Sequence, residues 1–179
     1  MVSVISAKRT TLALYMRNFV FGVEDSLVST VGLLSGIAIA GVPRGTIFIT
    51  GVVLIFVEAF SMAAGSFISE FSAEEYVGGE VSRGKPVRAG IVMFFSYFVS
   101  GFIPLFPYLF FQTNQAFPVS IACSLAALFI LGVASGRFVK KTLFGHGIRM
   151  LIVGGLAIGV GVLAGQVADT IVPTQIGTL

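Results

Sequence analysis

The sequence predicts an all-α integral membrane protein, a bundle of five transmembrane helices joined by short connections. Two observations predict it. Of 179 residues, 56% are hydrophobic and only 11% are charged, whereas a soluble domain carries about 25% charged residues. So few charges leave much of the surface facing lipid. Apolar stretches long enough to cross a bilayer, roughly 20 residues each, also recur five times between clusters of polar and turn-forming residues. The mean hydropathy of +1.01 agrees.

The first span falls at 21–40, preceded by a short amphipathic stretch at 12–19 that reads as interfacial. Lys8, Arg9 and Arg17 come before it without the short apolar core and small-residue cleavage site of a signal peptide, so the span reads as retained. GVPRG at 41–45 is a turn, because glycine and proline punctuate helices. The second span, 46–68, extends as helix through 69–76. Residues 69–88 form the longest connection, a short cytosolic loop containing Gly78, Gly79, Gly84 and Pro86. Pro104 and Pro107 break the third span, 89–111, near its outer end. The carbonyls such a break frees must be satisfied by neighbours or by a water-lined cavity. A tight turn at 112–115 leads to the fourth span, 117–136. A basic loop at 137–149 leads to the fifth, 151–171. The whole of 1–179 reads as one transmembrane domain.

Charge sets the topology. Three Lys/Arg precede the first span, three (Arg83, Lys85, Arg88) lie between the second and third, and four (Arg137, Lys140, Lys141, Arg149) lie between the fourth and fifth. Only Arg44 lies on the opposite side. Positive residues favour the cytosolic face, so the N-terminus is expected in the cytosol and the C-terminus outside or in a lumen. The sequence pI near 9.3 is therefore a topology signal and does not point to nucleic acid. Cys123, the single cysteine, has no partner for a disulfide or thiolate metal site. Glycines four apart (Gly32/Gly36, Gly132/Gly136, Gly155/Gly159, Gly161/Gly165) allow close helix approach. They fit packing within the chain or a dimer seam.

Chemistry is concentrated in the acids. Of eight, only Glu24, Asp25 and Glu58 fall at or near membrane depth. An ionised acid near the bilayer centre costs about 2.5–3.5 kcal/mol on the lenient insertion scale. With no Lys or Arg inside the five predicted spans, the expected counter-charge is a cation from outside the protein. Glu58 and Met62 stand four apart on one helical face. A carboxylate beside a thioether suits late first-row divalent ions such as Fe²⁺ better than Mg²⁺ or Ca²⁺. The competing reading is a gap-filling methionine beside a protonated, hydrogen-bonded glutamate. Asp25, with Ser29 one turn on, lines one stripe, or else caps a helix starting at Ser26. Glu24 and Asp25 lie about 100° apart, so one of them faces the bundle axis. His146, in FGHG, reads as a solvated loop side chain. With no Gly-rich phosphate loop, no Ser/His/Asp set and no paired metal-ligand motif, an enzyme reading has no support.

FGVEDSLVSTVGLLSGIAIAG in the first span, EAFSMAAGSFISEFSAEEY in the second, FVSGFIPLFPYLF in the third and IRMLIVGGLAIGVGVLAG in the fifth resemble the vacuolar iron transporter family. The resemblance runs over 18–165. It implies a five-span, homodimeric antiporter that moves Fe²⁺, and often Mn²⁺, out of the cytosol in exchange for protons. The metal ion is then cargo, and no resident cofactor is expected. The family's span-one acid falls on Asp25 and its span-two methionine on Met62, so the expected metal site is Asp25, Glu58 and Met62. Two departures stand out. Plant-type members place a glutamate two turns before that methionine, where this chain has Leu54, and Glu58 sits one turn closer. Those members also carry a long Glu-rich hairpin between the second and third spans, where this chain has only a short connection. Glu70 and Glu74 there are a candidate cytosolic receiving site, or a solvated helix end. The expected partners are divalent metal ions, protons, lipid and a second copy of the chain. A non-transporting metal-binding scaffold or sensor using the 70–80 segment is the alternative, and a carrier for another small cation is a third reading. With no targeting segment or appended domain in view, the expected location is a prokaryotic plasma membrane, with an organelle membrane as the alternative.

Overall fold

The computed structural model describes residues 2–77, 84–139 and 143–171. Glu80, Arg83, Lys140 and Lys141 lie outside these described residues. The described chain is helical and contains no strand: α1 (Val2–Ile39), α2 (Arg44–Tyr76), α3 (Gly84–Leu105), the short α4 (Pro107–Phe110), α5 (Thr113–Val139) and α6 (Leu143–Ile171). All but α4 are long and apolar enough to cross a membrane, so five spans are present.

The helices outrun the apolar stretches that announce them. The amphipathic residues before the first span are part of one uninterrupted α1, which places Asp25 in mid-helix. Asp25 therefore caps nothing. The same continuity puts Arg17 on α1, within a candidate span. Gly41 closes the α1–α2 turn with φ 74, a left-handed conformation that glycine adopts without strain. Helix α2 continues through Tyr76. Helix α3 stops at Leu105, and Pro107 opens α4. At this break the Pro104 carbonyl accepts a hydrogen bond from Ser120 Oγ on α5 at 2.6 Å, so a neighbouring helix satisfies it.

Helix α1 is central. It packs against α2, α3, α5 and α6, while α2 pairs with α3 and α5 with α6. The buried face of α2 is Ile47, Gly51, Ile55 and Ala59, a stripe repeating every four residues. Its other faces expose large apolar groups, Phe60 at 72% among them. A water-soluble helix could not expose such a face; a lipid-facing helix can. Against α6, the backbone of α1 passes almost in contact. A Cβ on Gly36 would fall 2.6 Å from the Gly161 carbonyl oxygen, and one on Gly161 or Gly165 would collide with the Gly32 or Gly36 carbonyl. This crossing uses Gly32/Gly36 and Gly161/Gly165 within the chain. Gly155 and Gly159 instead face open space.

Candidate metal site

Three helices meet around Tyr97. Its side chain is fully buried on α3. Its hydroxyl donates to Glu58 Oε2 on α2 at 3.0 Å, and it lies 2.7 Å from Ser29 Oγ on α1. A phenol has one proton to donate. With that proton on Glu58, Ser29 is the donor to Tyr97. One turn back on α1, Ser26 Oγ donates to the Tyr97 backbone carbonyl at 2.7 Å. Two serines and a glutamate thus hold one tyrosine from both flanking helices. Glu58 keeps Oε1 clear of this chain of bonds.

Asp25 is half-buried on the same side of α1 and lies within electrostatic range of Glu58. Neither acid has a basic partner. The ion pair found among the described residues is Lys85 Nζ with Glu74 Oε1 at 3.6 Å. Arg17 sits eight residues from Asp25, about 12 Å along the axis, and reaches neither acid. Glu24, adjacent to Asp25, turns away. It lines a cavity of about 640 Å³ with Met16, Arg17, His146 and Met150. His146 lies on α6 and not in a loop; it is partly exposed and lines this open cavity.

Met62 stands one turn from Glu58 on α2. It lines a cavity of about 380 Å³ with Arg17, Asn18, Glu70 and Met93, nearer the end of the bundle where the basic residues gather. Glu70 thus shares a cavity with Met62, while Glu74 is engaged by Lys85. No three His, Cys, Asp or Glu side chains among the described residues converge as a metal-holding group. What converges is a pair of carboxylates with a phenol, and a thioether cavity beside it. Sequence reasoning missed Tyr97 and the bond that Ser26 makes to its carbonyl. Tyr97 lies in the aromatic run FFSYF.

The VIT family model matches residues 16–85 and 71–166. Among curated proteins, the chain is 27% identical over 166 residues to "Vacuolar iron transporter homolog 1" of Oryza sativa subsp. japonica, covering 83% of this chain and 71% of that protein. It is 28% identical over 160 residues to "Vacuolar iron transporter homolog 4" of Arabidopsis thaliana, covering 83% and 81%. It is 32% identical over 74 residues to "Vacuolar iron transporter 1" of Oryza sativa subsp. japonica, covering 41% and 29%. These relatives are plant proteins named for the vacuole, so the expected prokaryotic plasma membrane finds no support among them. The integral, multi-pass location agrees with the five spans.

Proposed function

Because the chain belongs to the VIT family of membrane metal-ion transporters, we propose that it carries Fe²⁺, and also Mn²⁺, out of the cytosol in exchange for protons. The observation that carries this reading is a pair of acids, Asp25 and Glu58, within electrostatic range of each other at membrane depth and without a basic partner. Two neighbouring carboxylates repel, and a divalent cation between them offsets both the repulsion and the cost of their desolvation. Tyr97 occupies Oε2 of Glu58 and leaves Oε1 for the ion. Met62, one turn nearer the basic end, adds the soft ligand that favours a late first-row ion over Mg²⁺.

Transport then follows from charge balance. Deprotonated Asp25 and Glu58 take the ion from the cytosolic side. Protons from the far side displace it, and the neutral carboxylates return at little electrostatic cost. Glu58 here does the work of the family glutamate whose position is Leu54. The working unit is a homodimer, expected at twice the chain mass by light scattering of the purified protein.

The test is Fe²⁺ uptake into proteoliposomes with a trapped pH indicator. Wild type is expected to move Fe²⁺ with proton counter-flow, and Glu58→Gln and Asp25→Asn to fall to near background. Wild-type flux in Glu58→Gln removes Glu58 from the site. Binding without flux in the wild type supports a scaffold or sensor instead.

A further inference from the structure

The cavity beside Met62 is a gap between α1 and α2. Near the turn that joins them, these helices close on each other through Leu34, Ile47 and Ile55. At the basic end they part around the cavity, and α3 forms its back wall through Met93. There α3 lies tight against both. Gly22 of α1 leaves room for the Ser96 side chain, and a Cβ on Gly90 would fall 3.0 Å from the Ala63 carbonyl oxygen of α2. Arg17 on α1 and Glu70 on α2 line this cavity and also an adjoining one of about 530 Å³, which Lys85 shares. The two side chains therefore stand where one cavity gives onto the other.

We propose that Glu70 swings onto Arg17 and Asn18 as a cytosolic latch, drawing α2 to α1 and shutting the way to Met62 while the carrier faces the other side of the membrane. This inference rests on the reading of the chain as a carrier, which alternates access and is not open on both sides at once.

Three observations carry it. Asn18 lines the cavity and is 8% exposed, and its Nδ2 has no hydrogen-bond partner. A buried N–H without an acceptor costs stability, so this donor needs an acceptor that arrives in another state of the protein. Arg17, the preceding residue, brings a guanidinium to the same cavity, and one carboxylate can accept from both. Second, Glu70 is the carboxylate that lines this cavity, and among the described residues it is in no ion pair. Third, the competing cation is engaged: Lys85 Nζ lies 3.6 Å from Oε1 of Glu74, one turn along α2. That leaves Arg17 as the partner of Glu70. Such a bond joins α1 to α2 at the end where they part. Opened, it returns Arg17 to the neighbouring cavity, where Glu24 lies.

The experiment uses the full chain in lipid nanodiscs, with Cys123→Ala and with Ser66→Cys as a reporter inside the cavity. The reaction of that reporter with a soluble maleimide is followed. In this parent protein the latch is expected to slow the reaction. Glu70→Gln and Arg17→Gln are each expected to speed it about tenfold, the worth of a hydrogen bond to a charged group. Asn18→Leu is expected to speed it less. The charge exchange, Arg17→Glu with Glu70→Arg, is expected to bring the rate back toward that of the parent, which misfolding of a single variant cannot imitate. Unchanged rates in both single variants, or no recovery in the exchange, overturn the latch. Slowing of the parent by inorganic phosphate assigns the donors to a free anion and overturns it too. Fe²⁺ flux with proton counter-flow is measured on the same proteins in liposomes. If the parent carries Fe²⁺ and the exchange shows no recovery of protection, the latch fails and the carrier stands. If the exchange recovers protection and no protein carries Fe²⁺, the contact stands and the carrier reading fails.

Discussion

At the scale of single residues, Tyr97 is where three helices exchange hydrogen bonds, and its hydroxyl is the only link from Glu58 to α1 among the bonds described. Tyr97→Phe keeps the ring and deletes that link. Interhelical hydrogen bonds in membranes are worth about 0.6 kcal/mol each and rarely above 1.7, so the expected loss of stability is about 1 kcal/mol. The transport defect is expected to exceed this, as a several-fold rise in half-saturating Fe²⁺, because Glu58 loses its orientation. Ser29→Ala removes only the donor to Tyr97 and is expected to raise half-saturation less. Thermal unfolding and flux measured on both variants check the order; an equal or larger effect in Ser29→Ala would show that Tyr97 does not orient Glu58. The acids were legible in the sequence because an unpaired carboxylate in an apolar stretch is conspicuous. Tyr97 was not legible. A buried aromatic looks the same in sequence whether it fills space or faces a site, and only helix rotation decides between them.

At the scale of elements, the span count was legible because lipid thickness imposes a length on apolar runs. The helix ends were less so. Residues 10–20 and 69–76 lie beyond the apolar windows yet stay helical, because nothing in them breaks a helix and the bilayer's edge does not stop one. The α3 break was legible from Pro104 and Pro107, but the donor from Ser120 that completes it lies on another helix. The glycine pairs looked alike in sequence and differ in space. At the α1–α6 crossing, a Cβ on Gly161 would collide with a backbone carbonyl that no rotamer change can move. Gly161→Val is therefore expected to separate the helices, costing about 1–3 kcal/mol or more. Gly159→Ala, facing open space on the same helix, is expected to stay within about 0.5 kcal/mol of wild type. Thermal unfolding in detergent checks the contrast, and equal effects would place the crossing elsewhere.

For the molecule as a whole, the alternating helices bring Arg17, Lys85, Arg88, Arg137 and Arg149 to one end and leave Arg44 at the other. Orientation is the property on which the direction of transport depends, since the thioether cavity lies at the basic end and the two-proline break lies near Arg44. If the basic end is cytosolic, as the positive-inside bias predicts, the cavity beside Met62 opens toward the cytosol, and an ion taken from it by Asp25 and Glu58 is one bound for export. A reversed orientation would turn that cavity outward and make the same path an uptake path. Substituted-cysteine labelling decides. In a Cys123→Ala background, Arg44→Cys is expected to react with a membrane-impermeant maleimide added to intact cells. Arg149→Cys is expected to react only after permeabilisation; both positions are exposed in the fold. Labelling of Arg149→Cys in sealed cells, with Arg44→Cys protected, would invert the orientation and with it the proposed direction of Fe²⁺ movement.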